Sequence, residues 1–150
     1  MKFITISLTF LVLSTRLIHA STRLTETLDH DVRSKIPDEF IRSWEDLMVP
    51  NNKYCAQESE FDEKHIPNIF EKMDMSKKKL PCFAKCQYQR LEFMNSENKF
   101  DIQKMAQKIS GLTEDIAAHC THKFSEEEDL CNKVLSIIKC NVNLIAKKDM

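Results

Sequence analysis

Six cysteines limit this chain more than any other feature, and two of them limit it most. Cys82 and Cys86 stand four apart in Leu80-Pro-Cys-Phe-Ala-Lys-Cys-Gln-Tyr-Gln-Arg-Leu91, a stretch that reads as one helix. Helical neighbours at that spacing share a face, with Cβ atoms roughly 5–6 Å apart. A disulfide requires about 3.5–4.5 Å. Cys82 and Cys86 therefore bond elsewhere, and their helix becomes a double anchor. Cys55, Cys120, Cys131 and Cys140 are the available partners. Cys131 and Cys140 also share a predicted helix, on opposite sides and roughly 13 Å apart. Excluding both same-helix pairs leaves about 10 of the 15 pairings of six cysteines. All of these staple separate helices.

The start of the chain decides how the cysteines are read. Lys2 is followed by an apolar run of about a dozen residues and a small-residue cut after Ala20, with Arg16 between them. This reads as a secretory signal peptide over 1–20, too short for a membrane span. In a secreted chain, six cysteines imply three bridges rather than a zinc or redox site. Residues 21–36 are polar without a sustained period and read as a flexible lead-in. A single helical domain then occupies 37–150. There is one glycine, Gly111. That excludes phosphate loops, dinucleotide fingerprints and the serine nucleophile elbow, which need several. The net charge of −1 becomes mildly acidic once Lys2 and Arg16 are removed. Nothing in it attracts nucleic acid or an anionic membrane.

Apolar spacing gives the helices in order. Pro37 opens the first, with Phe40, Ile41, Trp44, Leu47 and Met48 on its stripe, over about 37–48. Pro50-Asn51-Asn52 ends or kinks it. A turn after Cys55 opens a second helix with Ile66, Ile69, Phe70 and Met73. The anchor helix follows, with Pro81 in its first turn, burying some of Phe83, Cys86, Tyr88, Leu91 and Met94. Asp101 caps a fourth helix, with Ile102, Met105, Ala106 and Ile109 on its stripe and Gly111 as its stop. Thr113 caps a fifth through Ile116, Cys120 and Phe124. Ser125 with Glu128 forms a capping box for a sixth, through Cys131, Leu135, Ile138 and Cys140, before an apolar tail at Val142-Asn-Leu-Ile145. No segment has strand periodicity. The fold class is all-α, about six helices with three disulfides.

The cysteine ladder is C-x26-C-x3-C-x33-C-x10-C-x8-C. Its x3 and x8 intervals and long third gap resemble the insect odorant-binding proteins of the pheromone-binding and general-odorant-binding family. The stretch from Lys85 to Asp101 is similar to that family's Leu-Gly-hydrophobic-Met turn and Gly-Lys-Phe-Asp helix start. Glu92 and Asn98 stand where the family often has glycine, and Pro50 before the first cysteine is less usual. The resemblance covers 37–145 and implies an interlocked pairing: Cys55–Cys86, Cys82–Cys131 and Cys120–Cys140. It also implies an internal apolar cavity for a small hydrophobic ligand, with no catalytic residue, metal or cofactor. Burial of on the order of 300 Å² of ligand surface would give roughly 7 kcal/mol before ordering costs, in the micromolar range. Candidate lining residues are Trp44, Met48, Phe70, Tyr88, Met94, Met105, Ile109, Phe124, Leu135, Ile138, Val142 and Leu144. The plainer reading of each is ordinary core.

The expected function is a secreted, extracellular carrier of odorants, pheromones or similar molecules. Its partners would be the ligand, a chemosensory receptor and, as in relatives, a second copy in a homodimer. The alternative is a secreted signalling, venom or salivary protein that binds a receptor by its surface or scavenges amines. An acidic group in the pocket would favour amine scavenging, and an exposed apolar patch would favour receptor binding. A hydrolase fares worst, because no His-Glu-x-x-His, Gly-x-Ser-x-Gly or calcium loop is present. His119 and His122 flank Cys120 without a zinc spacing. Either is a candidate for acid-triggered release, or a solvated side chain, as is His65. Lys77-Lys-Lys79 reads as a solvated loop, and no N-glycosylation sequon is present.

Overall fold

A computed structural model describes residues 30–148 except residue 68. The leader read in 1–20 and most of the lead-in lie outside the described residues. Among those described, eight α-helical segments occur: α1 His30–Arg33, α2 Asp38–Met48, α3 Asn52–Ser59, α4 Ile69–Lys72, α5 Leu80–Arg90, α6 Ile102–Lys108, α7 Glu114–Lys123 and α8 Leu130–Lys148. Six of them have seven residues or more, and among the described residues the only β-pairing is a single bridge between Met94 and Phe100. The class is all-α.

Local chemistry explains the boundaries. Asp38 and Glu39 occupy the first turn of α2, where carboxylates oppose the positive helix end. Its buried residues Ile41, Trp44 and Met48 recur at helical spacing. Pro50 kinks the chain rather than ending it. Val49–Asn51 form a tight 3-10 turn that leads directly into α3, so Cys55 lies inside a helix and the turn comes five residues later. The second helix expected through Ile66 and Met73 reduces to a 3-10 turn at Glu63–His65 and the single turn of α4. Within the segment read as a lead-in, α1 is followed by a buried Ile36. Its Arg33 bridges Asp38 at 2.8 Å and Glu71 at 2.7 Å, tying α1 to α2 and α4.

Asp101 and Thr113 cap α6 and α7 as expected, accepting from the Lys104 and Ile116 amides. The box at Ser125 and Glu128 does not form. Asp129 caps α8 instead, accepting from the Asn132 amide at 2.9 Å, because an Asp immediately ahead of Leu130 reaches that amide without an extra turn. The apolar tail is not separate either. It continues α8 to Lys148.

Two helices end on a left-handed glutamate. After α3, Glu60 has φ 55°, and the Phe61 amide reaches back to the Ala56 carbonyl at 2.9 Å. After α5, Glu92 has φ 57°, and the Phe93 amide reaches the Tyr88 carbonyl at 2.9 Å. Both are Schellman closures that usually use glycine. Asn98 is also left-handed, at φ 60°. The turns expected at 92 and 98 therefore form without glycine. Asn95 supports the second by accepting from the Glu97 and Lys99 amides, both at 2.9 Å. Lys104 holds Glu92 from outside as an ion pair.

The core lies around α5, which packs against α3 on one side and α8 on the other. α7 packs against α8 and α6, and α2 against α4. Covalent staples follow the same contacts. Cys55–Cys86 joins α3 to α5, Cys82–Cys131 joins α5 to α8, and Cys120–Cys140 joins α7 to α8. This is the interlocked pairing that the family resemblance implies.

Two stability outcomes follow. Cys82–Cys131 closes a separation of 49 residues. Its double serine replacement is expected to lose about 4 kcal/mol in urea denaturation, from the entropy returned to the unfolded chain. Gly111 has φ +81°, and an added Cβ would stand 2.6 Å from Phe40 Cε2 and 3.1 Å from Ile145 Cγ2. Gly111→Ala is therefore expected to cost at least about 1 kcal/mol, read as a lower Tm.

Candidate ligand-binding pocket

The spacing of α5 builds one wall of a pocket. Leu80, Phe83, Ala84, Gln87, Tyr88 and Leu91 recur every three or four residues and line it together, followed by Phe93 beyond the helix end. Opposite, α8 contributes Leu135, Ile138, Asn141, Val142 and Ile145. From α2 come Trp44, Leu47 and Met48. Ile69, Phe70 and Met75 close another side, and Ile109 enters just after α6. The cavity measures about 80 Å³, several times the space one water molecule needs. Met48 and Met75 in its wall are unbranched and adaptable.

Several contacts fix these walls. The Trp44 indole N–H donates to the Ser110 carbonyl at 2.9 Å, and the Ser43 and Ser110 hydroxyls meet at 2.8 Å. These bonds pin α2 to the loop after α6. The Trp44 and Phe70 rings meet edge-on with centroids 5.4 Å apart, and Tyr88 meets Phe93 in the same manner at 5.4 Å. Such edge contacts add about 0.5–1.5 kcal/mol each beyond area burial.

No side chain of formal charge lines the pocket. Its polar groups are neutral: Gln87, Asn141 and Tyr88. Burial pushes the Tyr88 phenol well above its ordinary pKa, and the nearby Asn141 amide holds part of that rise back. Apart from that approach to the phenol, Asn141 Nδ2 and Oδ1 have no partner. Gln87 Nε2 donates to Asn52 Oδ1 at 2.9 Å and to the Met48 carbonyl at 3.4 Å, while its Oε1 has no partner. A buried polar group left unmet costs about 1–3 kcal/mol.

Eight of the twelve residues expected from the sequence line this pocket: Trp44, Met48, Phe70, Tyr88, Ile109, Leu135, Ile138 and Val142. Four do not. Met94 and Met105 are buried elsewhere in the core, Phe124 is half-buried at the end of α7, and Leu144 is half-buried on α8. On α8 the pocket face runs through Val142 and Ile145, and Leu144 is rotated off it. Sequence reasoning missed Gln87 and Asn141 by treating polar residues as solvated. A signal existed, since each falls on the same helical stripe as its apolar neighbours. None of the histidines lines the pocket. His119 and His122 are exposed on α7, beside a Cys120 whose thiol is committed to a disulfide. His65 leans on the Phe61 ring with centroids 6.1 Å apart.

Comparison with known families decides the kinship. The model of the PBP/GOBP family matches residues 40–143. The chain belongs to the PBP/GOBP family. No curated protein and no solved structure gives a match. For a PBP/GOBP member the placement is coherent, because the matched span contains all six cysteines and nearly every pocket residue. Among the described residues, no helix is long and apolar enough to cross a membrane.

Trp44 is the only tryptophan in the chain and lines the pocket. Filling the pocket is expected to change its emission saturably with ligand concentration, while Trp44→Phe abolishes the signal. A fluorescence titration checks this.

Proposed function

We propose that this protein is a secreted carrier that takes a small hydrophobic molecule, an odorant, pheromone or similar compound, into the pocket and transports it through extracellular fluid. The observation that carries the reading is the wall itself: five separate parts of the chain converge on one cavity without bringing a charged side chain into it. Well-packed cores have few voids larger than a water molecule, so a cavity of this size at the convergence of the helices fits a ligand site. Three disulfides and a leader-like start suit an oxidising, extracellular setting. The family is one of carriers, and this function requires no catalytic step.

The competing readings have less support. Amine scavenging requires a carboxylate in the pocket, and none of its lining residues is acidic. Signalling through an apolar surface requires a broad exposed patch. The exposed large hydrophobic residues among those described are Val49 and Tyr54, and the Arg90 guanidinium sits 4.9 Å from the Tyr54 ring centre.

Displacement of a fluorescent apolar probe from the oxidised mature protein tests the carrier reading. One saturable site near micromolar affinity is expected at neutral pH, competed by small apolar compounds. Ala84 lies on the α5 wall and is buried. Ala84→Phe should fill the cavity and weaken the probe by more than about tenfold, with helical circular dichroism retained and a stability loss of about 1–3 kcal/mol. Unchanged affinity in that variant places the probe elsewhere and defeats the reading.

A further inference from the structure

The carrier reading leaves open what kind of molecule is carried, and the surface that the cavity offers bears on it. Every side-chain nitrogen and oxygen among the lining residues is either engaged or covered. The Trp44 indole N–H is bonded to the Ser110 carbonyl, and Gln87 Nε2 to Asn52 and Met48. The Tyr88 phenol is turned to the Asn141 amide. Gln87 Oε1, Asn141 Nδ2 and Asn141 Oδ1 each keep less than 1 Å² of accessible surface, too little to touch a molecule in the cavity. On α5 and α8 the backbone groups are taken up by helical hydrogen bonds. The rim continues the interior. The lining residues left half-buried are Leu47, Phe70, Leu91, Ile109 and Ile138, all of them apolar.

We propose that the cargo is a compact hydrocarbon, a terpene, alkene or alkylbenzene without a hydrogen-bonding group. Such a molecule gives up no hydrogen bond on leaving water, and inside the cavity its carbons meet carbon on every side. A hydroxyl or carbonyl group leaves its water partners and finds no replacement in the wall or at the rim. A carboxylate or ammonium loses still more, because no lining side chain carries a charge. A cavity of about 80 Å³ keeps the molecule small, and Met48 and Met75 adapt the wall to a branch or a ring. The assignment rests on the carrier reading. It goes further by naming the chemical class of the cargo and by ranking alcohols, aldehydes, acids and amines below it.

The test uses the oxidised mature protein and a series of nearly equal size: propylbenzene, phenylethanol, phenylacetaldehyde, phenylacetate and phenylethylamine. Each is titrated by Trp44 emission and by displacement of the apolar probe. Propylbenzene is expected to bind more than about tenfold tighter than every polar member. Ala84→Ser on α5 and Val142→Thr on α8 each place a hydroxyl on a buried part of the wall with little change of volume. In each, the gap between propylbenzene and phenylethanol should narrow by about tenfold. Gln87→Met should leave that gap unchanged, since the amide oxygen does not reach the cavity. A polar member bound within about tenfold of propylbenzene overturns the assignment. So does a gap that neither hydroxyl variant narrows, or one that Gln87→Met widens. Saturable probe binding that no member displaces overturns the assignment and spares the carrier reading. Absence of saturable binding by the probe and by every member overturns both together.

Discussion

The geometry of one helical turn in α5 governs the rest of the molecule. Two cysteines four residues apart cannot reach each other, so each is obliged to find a partner on another helix. Cys86 takes α3 and Cys82 takes α8, with Cα separations of 5.5 and 4.6 Å. The helix held on both flanks is also the one whose remaining face supplies five pocket residues. The third bridge, between α7 and α8, then fixes the opposite wall. A chain with a single glycine and short helices would have difficulty holding a cavity open by packing alone, since unsupported walls collapse to close contact. Cross-links between the helices that form the walls resist that collapse.

The left-handed residues show a related tension. Glu60, Glu92 and Asn98 hold a conformation that costs a non-glycine residue about 1–2 kcal/mol. They are retained because the closing hydrogen bonds from Phe61 and Phe93, and the asparagine-supported turn at 95–99, over-determine the backbone there. Two of these rings continue the core: Phe61 packs on Phe83 with centroids 5.0 Å apart, and Phe93 on Tyr88. Moving either turn would pull an aromatic residue off the pocket helix.

Much of this was legible from the residues, and the failures have definite causes. Caps at Asp101 and Thr113 could be read because a short polar side chain directly before an apolar period admits one geometry. The start of α8 could not, because Ser125 and Asp129 are both competent caps and only packing chooses between them. Apolar periodicity identified which face of each helix is buried. It did not say whether that face meets another helix, as at Met105, or the pocket, as at Ile109. Met94 and Met105, buried outside the pocket, are of that kind. The α3 segment has a weak apolar stripe, so its helix became visible only through its bond to α5 and the continuous run from α2.

None of the six cysteines lines the pocket, although every bridge joins helices that form or support its walls. Rigidity and recognition are thus assigned to different residues. Lineages, or designers, can exchange side chains at Ala84, Leu135 or Ile138 to suit a new cargo without disturbing the cross-links that keep the scaffold folded. Such a division makes the molecule a tolerant starting point for diversification, because a mutation that alters taste in ligands does not also threaten the frame.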